Sequence, residues 1–186
     1  MAQDKTLAIV VKGLDNPFFE QINKGCQKWN SENAGSGYTC FYTGPASSAD
    51  EVGEVQIVQD LLQRPDVVAI AISPSNAPLM AKMLREQAPK IPIMTIDADL
   101  STEDADLRAT YLGTDNYLMG VKFAEHLQKL KPEGGKICLQ LGNLAADNIN
   151  ARAAGTRVQI IGDDYLVKVR EVLERQLEIN RMRAAL

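Results

Sequence analysis

Residues 7–19 read Leu-Ala-Ile-Val-Val-Lys-Gly-Leu-Asp-Asn-Pro-Phe-Phe, and this stretch decides the fold class. Its first five residues are continuously apolar, as in a strand that is covered on both faces of a sheet. Asn16-Pro17 follows, the pairing of a cap residue with a first-turn proline that starts a helix. The stretch therefore predicts a buried strand that leads through a short polar loop into a helix.

Short apolar runs alternate with longer helical segments along the rest of the chain. This alternation predicts an α/β fold, with a parallel sheet and crossover helices. The acidic stretch 100–107 predicts a lobe boundary, giving an N-terminal lobe (1–103), a partial second lobe (104–157) and an atypical tail (158–186) that ends in a helix. The predicted strands are 7–12, 38–43, 67–73, 91–96, 110–113 and 136–142, and the predicted helices are 17–33, 50–63, 77–87 and 117–131.

The composition excludes several classes of partner. The net charge is -4, and the Lys and Arg residues are scattered among acids, so no basic stripe predicts nucleic-acid binding. No apolar run approaches the roughly 20 residues that cross a bilayer, which predicts a soluble chain. The first residues lack the regions of a signal peptide, which is expected of a cytoplasmic protein or of an exported one in its mature form.

The three cysteines leave two interpretations open. Cys26 lies in a predicted helix and Cys40 in the strand after it, so the two could face each other as a disulfide in an oxidising compartment. Alternatively both are small buried hydrophobes. Cys138 lies in the last predicted strand and is expected in the core. No residue spacing resembles a metal site, and no cofactor is predicted.

Polar side chains follow the predicted strands at their carboxyl ends, where open α/β sheets bind ligands. Each has a simpler explanation, such as a helix cap, core packing or a solvated charge, and only their shared position favours a site. Hydroxyl-rich ligands need fixed donors and acceptors, and an aromatic ring stacks on their C–H face. The set predicts binding of a polyhydroxylated ligand, and its members are Asp15, Asn16, Phe18, Phe19, Ser47, Ser75, Asp97, Asn143 and Arg152.

The same positions argue against an enzyme with a flavodoxin-like or nucleotide-binding sheet. The loop after the first strand has no glycine-rich phosphate cradle, and Asp15 would repel a phosphate at the following helix N-terminus. No serine, cysteine or histidine constellation supplies a nucleophile with a base. We therefore predict a binding protein without catalytic activity.

Four separated motifs resemble, in order, those of type I periplasmic sugar-binding proteins of the ribose-binding-like family. They are residues 12–19 with Gly25 behind them, Thr95-Ile96-Asp97, residues 113–117 with Gly120 behind them, and residues 150–155. The resemblance covers about residues 5–157. It implies a flavodoxin-like first lobe and part of a second lobe.

The resemblance also implies roles for individual residues. Asn16 would hydrogen-bond ligand hydroxyls, Phe18 or Phe19 would stack on the sugar ring, and Asp97 would accept hydroxyl protons. Arg152 would donate from the second lobe. The implied function is periplasmic binding of a monosaccharide for a membrane ABC transporter or a chemoreceptor. The ribose-binding pattern has an arginine after the aspartate where this chain has Ala98, so ribose itself is not implied.

The tail does not resemble that family, whose complete members are about twice as long, so a truncated or chimeric chain is expected. Residues 162–168 resemble the last helix-to-strand passage of a response-regulator receiver domain. Residues 169–186 predict a helix with a broad apolar face, which must pack on its own sheet or on a second copy in a homodimer. The alternatives are therefore a sensory domain of a two-component signalling protein or a half-site scaffold that binds nothing.

Overall fold

The computed structural model describes residues 4–142 and 145–159, which form five strands and five α-helices. Two compact units divide the chain: unit one is Met1–Thr114 with Gly142–Asn148, and unit two is Asp115–Leu141 with Ile149–Leu186. Two short 3-10 helices lie at Pro17–Phe19 and Thr102–Leu107. The regular elements are β1 (Lys5–Val10), α1 (Glu20–Glu32), β2 (Tyr38–Thr43), α2 (Glu51–Leu62), β3 (Val67–Ile72), α3 (Ala77–Gln87), β4 (Ile93–Ile96), β5 (Thr110–Leu112), α4 (Asn116–Leu130) and α5 (147–159).

Unit one is built on a parallel sheet with the strand order β2-β1-β3-β4-β5. This order is that of flavodoxin-like sheets, so the predicted fold class is confirmed. Val10 at the end of β1 lies opposite Thr43 on one side and Ile72 on the other. Because all the strands run in the same direction, their carboxyl ends meet at one edge of the sheet.

The main core of unit one packs against one face of β1 and β3. In β3, Ile70 and Ile72 are almost fully buried, and α2 and α3 cover them with side chains such as Val58, Met80 and Leu84. At the β2 edge, α1 is joined to the sheet by a disulfide between Cys26 and Cys40, whose Cα atoms lie 5.5 Å apart. The face of the central strands that packs on α2 and α3 is therefore buried, whereas Leu7, Ile9 and Ala69 are half-buried.

The acidic stretch that predicts a lobe boundary is packed onto unit one. It forms the 3-10 helix Thr102–Leu107, and the guanidinium of Arg85 on α3 donates to Asp104 at 2.8 Å. The chain then enters β5, which pairs in parallel with β4. The sheet of unit one thus continues beyond this stretch.

In unit two, α4 and α5 cross closely at two glycines. A Cβ at Gly120 would overlap the carbonyl oxygen of Arg152, and one at Gly155 would overlap that of Tyr117. Thr156 adds a hydrogen bond from its hydroxyl to the carbonyl oxygen of Gly120 at 3.2 Å. Larger residues at either glycine would force the two helices apart.

The predicted strand at residues 136–142 is wrong. These residues have no regular secondary structure, and Cys138, expected in the core, is an exposed free thiol. A strand needs a neighbouring strand to satisfy its backbone groups, and the described residues of unit two contain none. Among the residues that the structure describes, no helix combines the length and the apolar character needed to span a bilayer.

Candidate ligand-binding site

From β1 the chain passes outward to β2 on one side of the sheet, and then to β3, β4 and β5 on the other side. The helices that follow β1 and β3 therefore lie on opposite faces, and the position between these two strands is a switch point at the carboxyl edge. In open α/β sheets, ligands bind outside the strands at such a switch point. Three polar residues leave the sheet there: Lys12 after β1, Ser73 after β3 and Asp97 after β4. The Asp97 side chain contacts those of the other two residues.

Asp97 is the centre of this cluster. Its Oδ2 lies 3.3 Å from the ammonium nitrogen of Lys12 and accepts a hydrogen bond from Ser73 Oγ at 3.0 Å. Lys12 also donates to the side-chain oxygen of Asn148 at 3.2 Å. Lys12 and Asp97 each expose 13% of their side chain, so the pair is mostly shielded from solvent. We call Lys12, Ser73, Asp97 and Asn148 the switch-point cluster.

The backbone of Asp97 is held in an unusual conformation. Its φ angle is 60°, in the left-handed region that aspartate adopts more readily than most residues. The amide of Asp97 donates to the carbonyl oxygen of Leu112 at 3.2 Å, and the Tyr111 hydroxyl donates to the carbonyl oxygen of Asp97 at 3.0 Å. These bonds to β5 and the turn after β4 fix where the carboxylate points. The next residue, Ala98, is fully buried and adds no polar group.

Asp99 stabilises the same turn after β4. Arg108 donates two hydrogen bonds to its carboxylate, at 2.5 and 2.6 Å, and the Thr95 hydroxyl donates a third at 2.5 Å. Burial raises the pKa of Asp99, but the hydrogen bonds from Arg108 and Thr95 outweigh it and hold the pKa below its usual range. Asp99 is therefore a charged anchor for the turn after β4.

The loop after β1 is tied to the loop after β2. The carboxylate of Asp15 accepts hydrogen bonds from the Ser48 hydroxyl at 2.5 Å and from the Ser48 amide at 3.0 Å. The hydroxyl contact is the main reason that the pKa of Asp15 is lowered. Asn16 caps the 3-10 helix, with its side-chain oxygen accepting from the amide of Phe18 at 3.0 Å. Asp15 thus joins the loop after β1 to the loop after β2, and Asn16 begins the 3-10 helix that follows.

The two adjacent phenylalanines have different environments. Phe18 is 59% exposed, whereas Phe19 is 2% exposed and part of the core. Their rings meet edge to face with centroids 5.1 Å apart. Phe19 thus orients Phe18 but has no free face of its own. Of the two candidates for ring stacking, Phe18 is the accessible one.

The remaining predicted site residues lie in several places. Ser75 is 2% exposed, and its amide and hydroxyl both bind Glu54, so it faces α2. The Ser47 hydroxyl accepts from the amide of Ala49 at 3.3 Å, within its own loop. Arg152 belongs to unit two, where its Nε donates to Asn116 at 2.8 Å. Asn143 lies outside the described residues.

An open cavity of about 530 Å³ lies beside the loop after β1. Asp15, Asn16 and Tyr42 line it, but Lys12 and Asp97 do not. We place the candidate site at the switch-point cluster because its polar groups converge there. In the described part of the chain, no three His, Cys, Asp or Glu side chains are grouped as a metal site requires.

Lys12, Ser73 and Asn148 are not among the predicted site residues, although Lys12 and Ser73 end predicted strands and Asn148 follows one. Only Lys12 has a local signal, since a charged residue directly after a wholly apolar strand must emerge at the edge of the sheet. Ser73 and Asn148 resemble ordinary loop polar residues. Their participation depends on tertiary contacts between distant parts of the chain.

The fold and this site define a solute-binding domain of the periplasmic type. The chain belongs to the periplasmic binding protein domain family, whose model matches residues 7–176. The match continues beyond Arg157, so the expectation that the family pattern stops there is wrong. The tail predictions, including the receiver-like segment and a dimer-forming helix at 169–186, lie outside the described residues.

Relatives of known role are binding proteins for sugar import. The ribose import binding proteins of Salmonella typhimurium and Escherichia coli are each 31% identical over 160 residues, which cover 86% of this chain and 50% of theirs. The chain thus spans about half the length of the curated relatives that it matches.

Crystal structures of solute-binding proteins show the same fold. An ABC transporter solute-binding protein from Burkholderia graminis, in complex with D-arabinose, is 28% identical with a TM-score of 0.74, over 86% of this chain and 53% of that one. One from Agrobacterium vitis with bound D-fucose is 24% identical with a TM-score of 0.75, over 83% and 53% respectively, and supports the fold alone.

Proposed function

We propose that this chain binds a monosaccharide at the switch-point cluster. The observation that carries the proposal is the contact of Lys12 and Ser73 with Asp97 at the carboxyl edge of the sheet. A sugar hydroxyl both donates and accepts, so it fits a carboxylate flanked by an ammonium and a hydroxyl. Because Lys12 is already neutralised by Asp97, a neutral polyol suits the cluster better than a charged ligand.

The residues around the cluster supply the other contacts that a sugar requires. Phe18 offers an exposed ring for the C–H face of a pyranose or furanose, and Asn16 offers an amide close to it in the chain. Arg152 is the residue of unit two that we assign to the ligand. For the whole protein, we propose a mechanism in which two lobes close on the ligand by a hinge motion.

We propose a periplasmic location and delivery of the sugar to an ABC transporter or a chemoreceptor. The support comes from relatives that are named ribose import binding proteins and from an arabinose-bound transporter component. The disulfide between Cys26 and Cys40 adds independent support, because such bonds persist in oxidising compartments.

Calorimetric titration tests the proposal with D-ribose, D-arabinose, D-fucose and D-allose. Saturable heat with at least one sugar, lost in an Asn16→Ala, Asp97→Ala double variant, is the expected result. The control is Asp66→Asn, which alters a paired aspartate at the amino end of β3, remote from the cluster, and should leave the heat unchanged. Absence of heat with every sugar, or equal heat in the double variant, would reject the proposal.

A further inference from the structure

One buried carboxylic acid in unit one lies outside the switch-point cluster but contacts its supporting loop. Glu54 on α2 is 1% exposed. Its Oε2 accepts hydrogen bonds from both the amide of Ser75, at 2.9 Å, and the Ser75 hydroxyl. Its Oε1 is buried and has no hydrogen-bond partner among the described residues. Burying an acid with one unpaired oxygen costs free energy, which points to a structural or functional role for Glu54.

The loop that Glu54 holds is the one that carries Ser73. Ser73, Pro74 and Ser75 are all buried between β3 and α3. Glu54 binds one end of this short segment through Ser75, and Asp97 binds the other end through Ser73. Because Pro74 fixes one backbone angle between the two serines, it limits how far Ser75 can shift without moving Ser73.

We propose that Glu54 is a positioning residue that sets the orientation of Asp97 through the Ser73-Pro74-Ser75 segment. The inference rests on the proposed sugar-binding role of Asp97. It assigns a role in ligand binding to a residue that contacts no ligand and that lies on α2, at the face of the sheet. When Ser75 loses its acceptor, Ser73 no longer donates to Asp97, and of the switch-point cluster only Lys12 still contacts that carboxylate.

Burial and the neighbouring charges set the pH at which Glu54 ionises. Burial raises the pKa of Glu54 to about 7, against the opposing effects of the Ser75 hydrogen bonds and of Lys12 at the end of β1. Glu51 on the same helix raises it further. Asp97 at the end of β4 faces the same segment through Ser73. Glu54 therefore changes its charge near neutrality while its contact with Ser75 is in place.

Three variants separate positioning from a general effect on the fold. Glu54→Gln keeps a side-chain oxygen that accepts both Ser75 hydrogen bonds, whereas Glu54→Ala removes the acceptor. Asp60→Asn is the matched control, an acid-to-amide change at an exposed position of the same helix. Crystal structures of the four proteins give the separation between Ser73 Oγ and Asp97 Oδ2 without any ligand. Titration with D-arabinose, or with whichever sugar of the panel binds, gives the affinity.

We expect Glu54→Ala to lengthen the Ser73–Asp97 separation beyond about 3.5 Å, where it is no longer a hydrogen bond. Its affinity should fall about tenfold or more, since small displacements of binding groups are costly. Glu54→Gln should keep both the separation and the affinity.

The two proposals fail in different ways. If the wild-type protein binds no sugar, the proposed function is rejected, and the Ser73–Asp97 separation alone decides the role of Glu54. An unchanged separation in Glu54→Ala would overturn that role, whether or not a sugar binds. Equal losses of affinity in Glu54→Gln and Glu54→Ala would also overturn it.

Discussion

Lys12 and Asp97 are joined over the end of β3, with the ammonium nitrogen 3.3 Å from the carboxylate oxygen. The two residues leave strands that are not neighbours, because β3 lies between β1 and β4. Ser73 at the end of β3 fills the gap and donates to the same carboxylate oxygen. The pair therefore joins three strand ends into one polar surface, and 13% of each side chain is exposed.

Replacing Lys12 by Met tests this relationship. Asp97 would lose its counter-ion while remaining mostly shielded, so we expect the free energy of unfolding to fall by about 1–3 kcal/mol. Sugar affinity should fall as well, because the carboxylate is no longer held. The control is Lys28→Met, which removes an exposed pair with Glu32 and should change the stability by less than about 0.5 kcal/mol. Urea unfolding of both variants makes the comparison, and equal effects would contradict the expected difference.

Phe18 and Phe19 should separate ligand binding from stability. Phe18→Ala removes an exposed ring, so unfolding should change little while sugar affinity drops. Phe19→Ala empties a core position and should cost about 3–5 kcal/mol. The measurements are urea unfolding followed by the fluorescence of Trp29, and calorimetric titration. A Phe18→Ala variant with wild-type affinity would remove that ring from the site.

The raised pKa of Glu54 predicts how stability depends on pH. Folding raises this pKa from 4.5 to about 7, so the folded state favours the protonated acid. The resulting stabilisation is complete below pH 4.5 and is lost as the pH rises through 7. Between pH 5 and 8 the wild type should lose on the order of 3 kcal/mol relative to Glu54→Gln, which has no proton to release.

Urea unfolding of the wild type and Glu54→Gln across that pH range measures the difference. Asp66 does not interfere, because the hydrogen bonds from Arg64 and Thr6 lower its pKa to about 2, so its titration falls in acid. Parallel pH profiles for the two proteins would show that Glu54 does not titrate in this window.

The disulfide between Cys26 and Cys40 should stabilise unit one. It closes a loop of 14 residues between α1 and β2, for which chain entropy predicts about 3 kcal/mol. Dithiothreitol should lower the melting temperature of the wild type but not that of a Cys26→Ala, Cys40→Ala double variant. Before reduction, only Cys138 should react with a thiol reagent under native conditions. Reaction of all three cysteines without a reductant would show that the disulfide is absent.

The sequence predicts those parts of the fold that depend on local pattern. The apolar runs of β1 and β3 identify the central strands of a parallel sheet, although Leu7, Ile9 and Ala69 are only half-buried. The pattern fails at residues 136–142, since an apolar run forms a strand only beside a partner. The pattern also does not show which of Phe18 and Phe19 is buried, because one turn of 3-10 helix decides which ring enters the core. The contact of Lys12 with Asp97 depends on strand order, which residue types alone do not encode.

Gly13 should be the least replaceable residue of the loop after β1. A Cβ at this position would overlap the backbone of Ser48, the residue that binds Asp15. Gly13→Ala should therefore push the two loops apart, with a loss of about 1–3 kcal/mol of stability and weaker sugar binding through the displaced Asn16. Gly25→Ala is the matched control, because nothing lies within 4 Å of its added carbon on the exposed face of α1. That variant should gain about 0.5–1 kcal/mol from helix propensity. Urea unfolding distinguishes the expected loss of stability in Gly13→Ala from the expected gain in Gly25→Ala. A Gly13→Ala variant as stable as the wild type would show that the two loops are not in close contact.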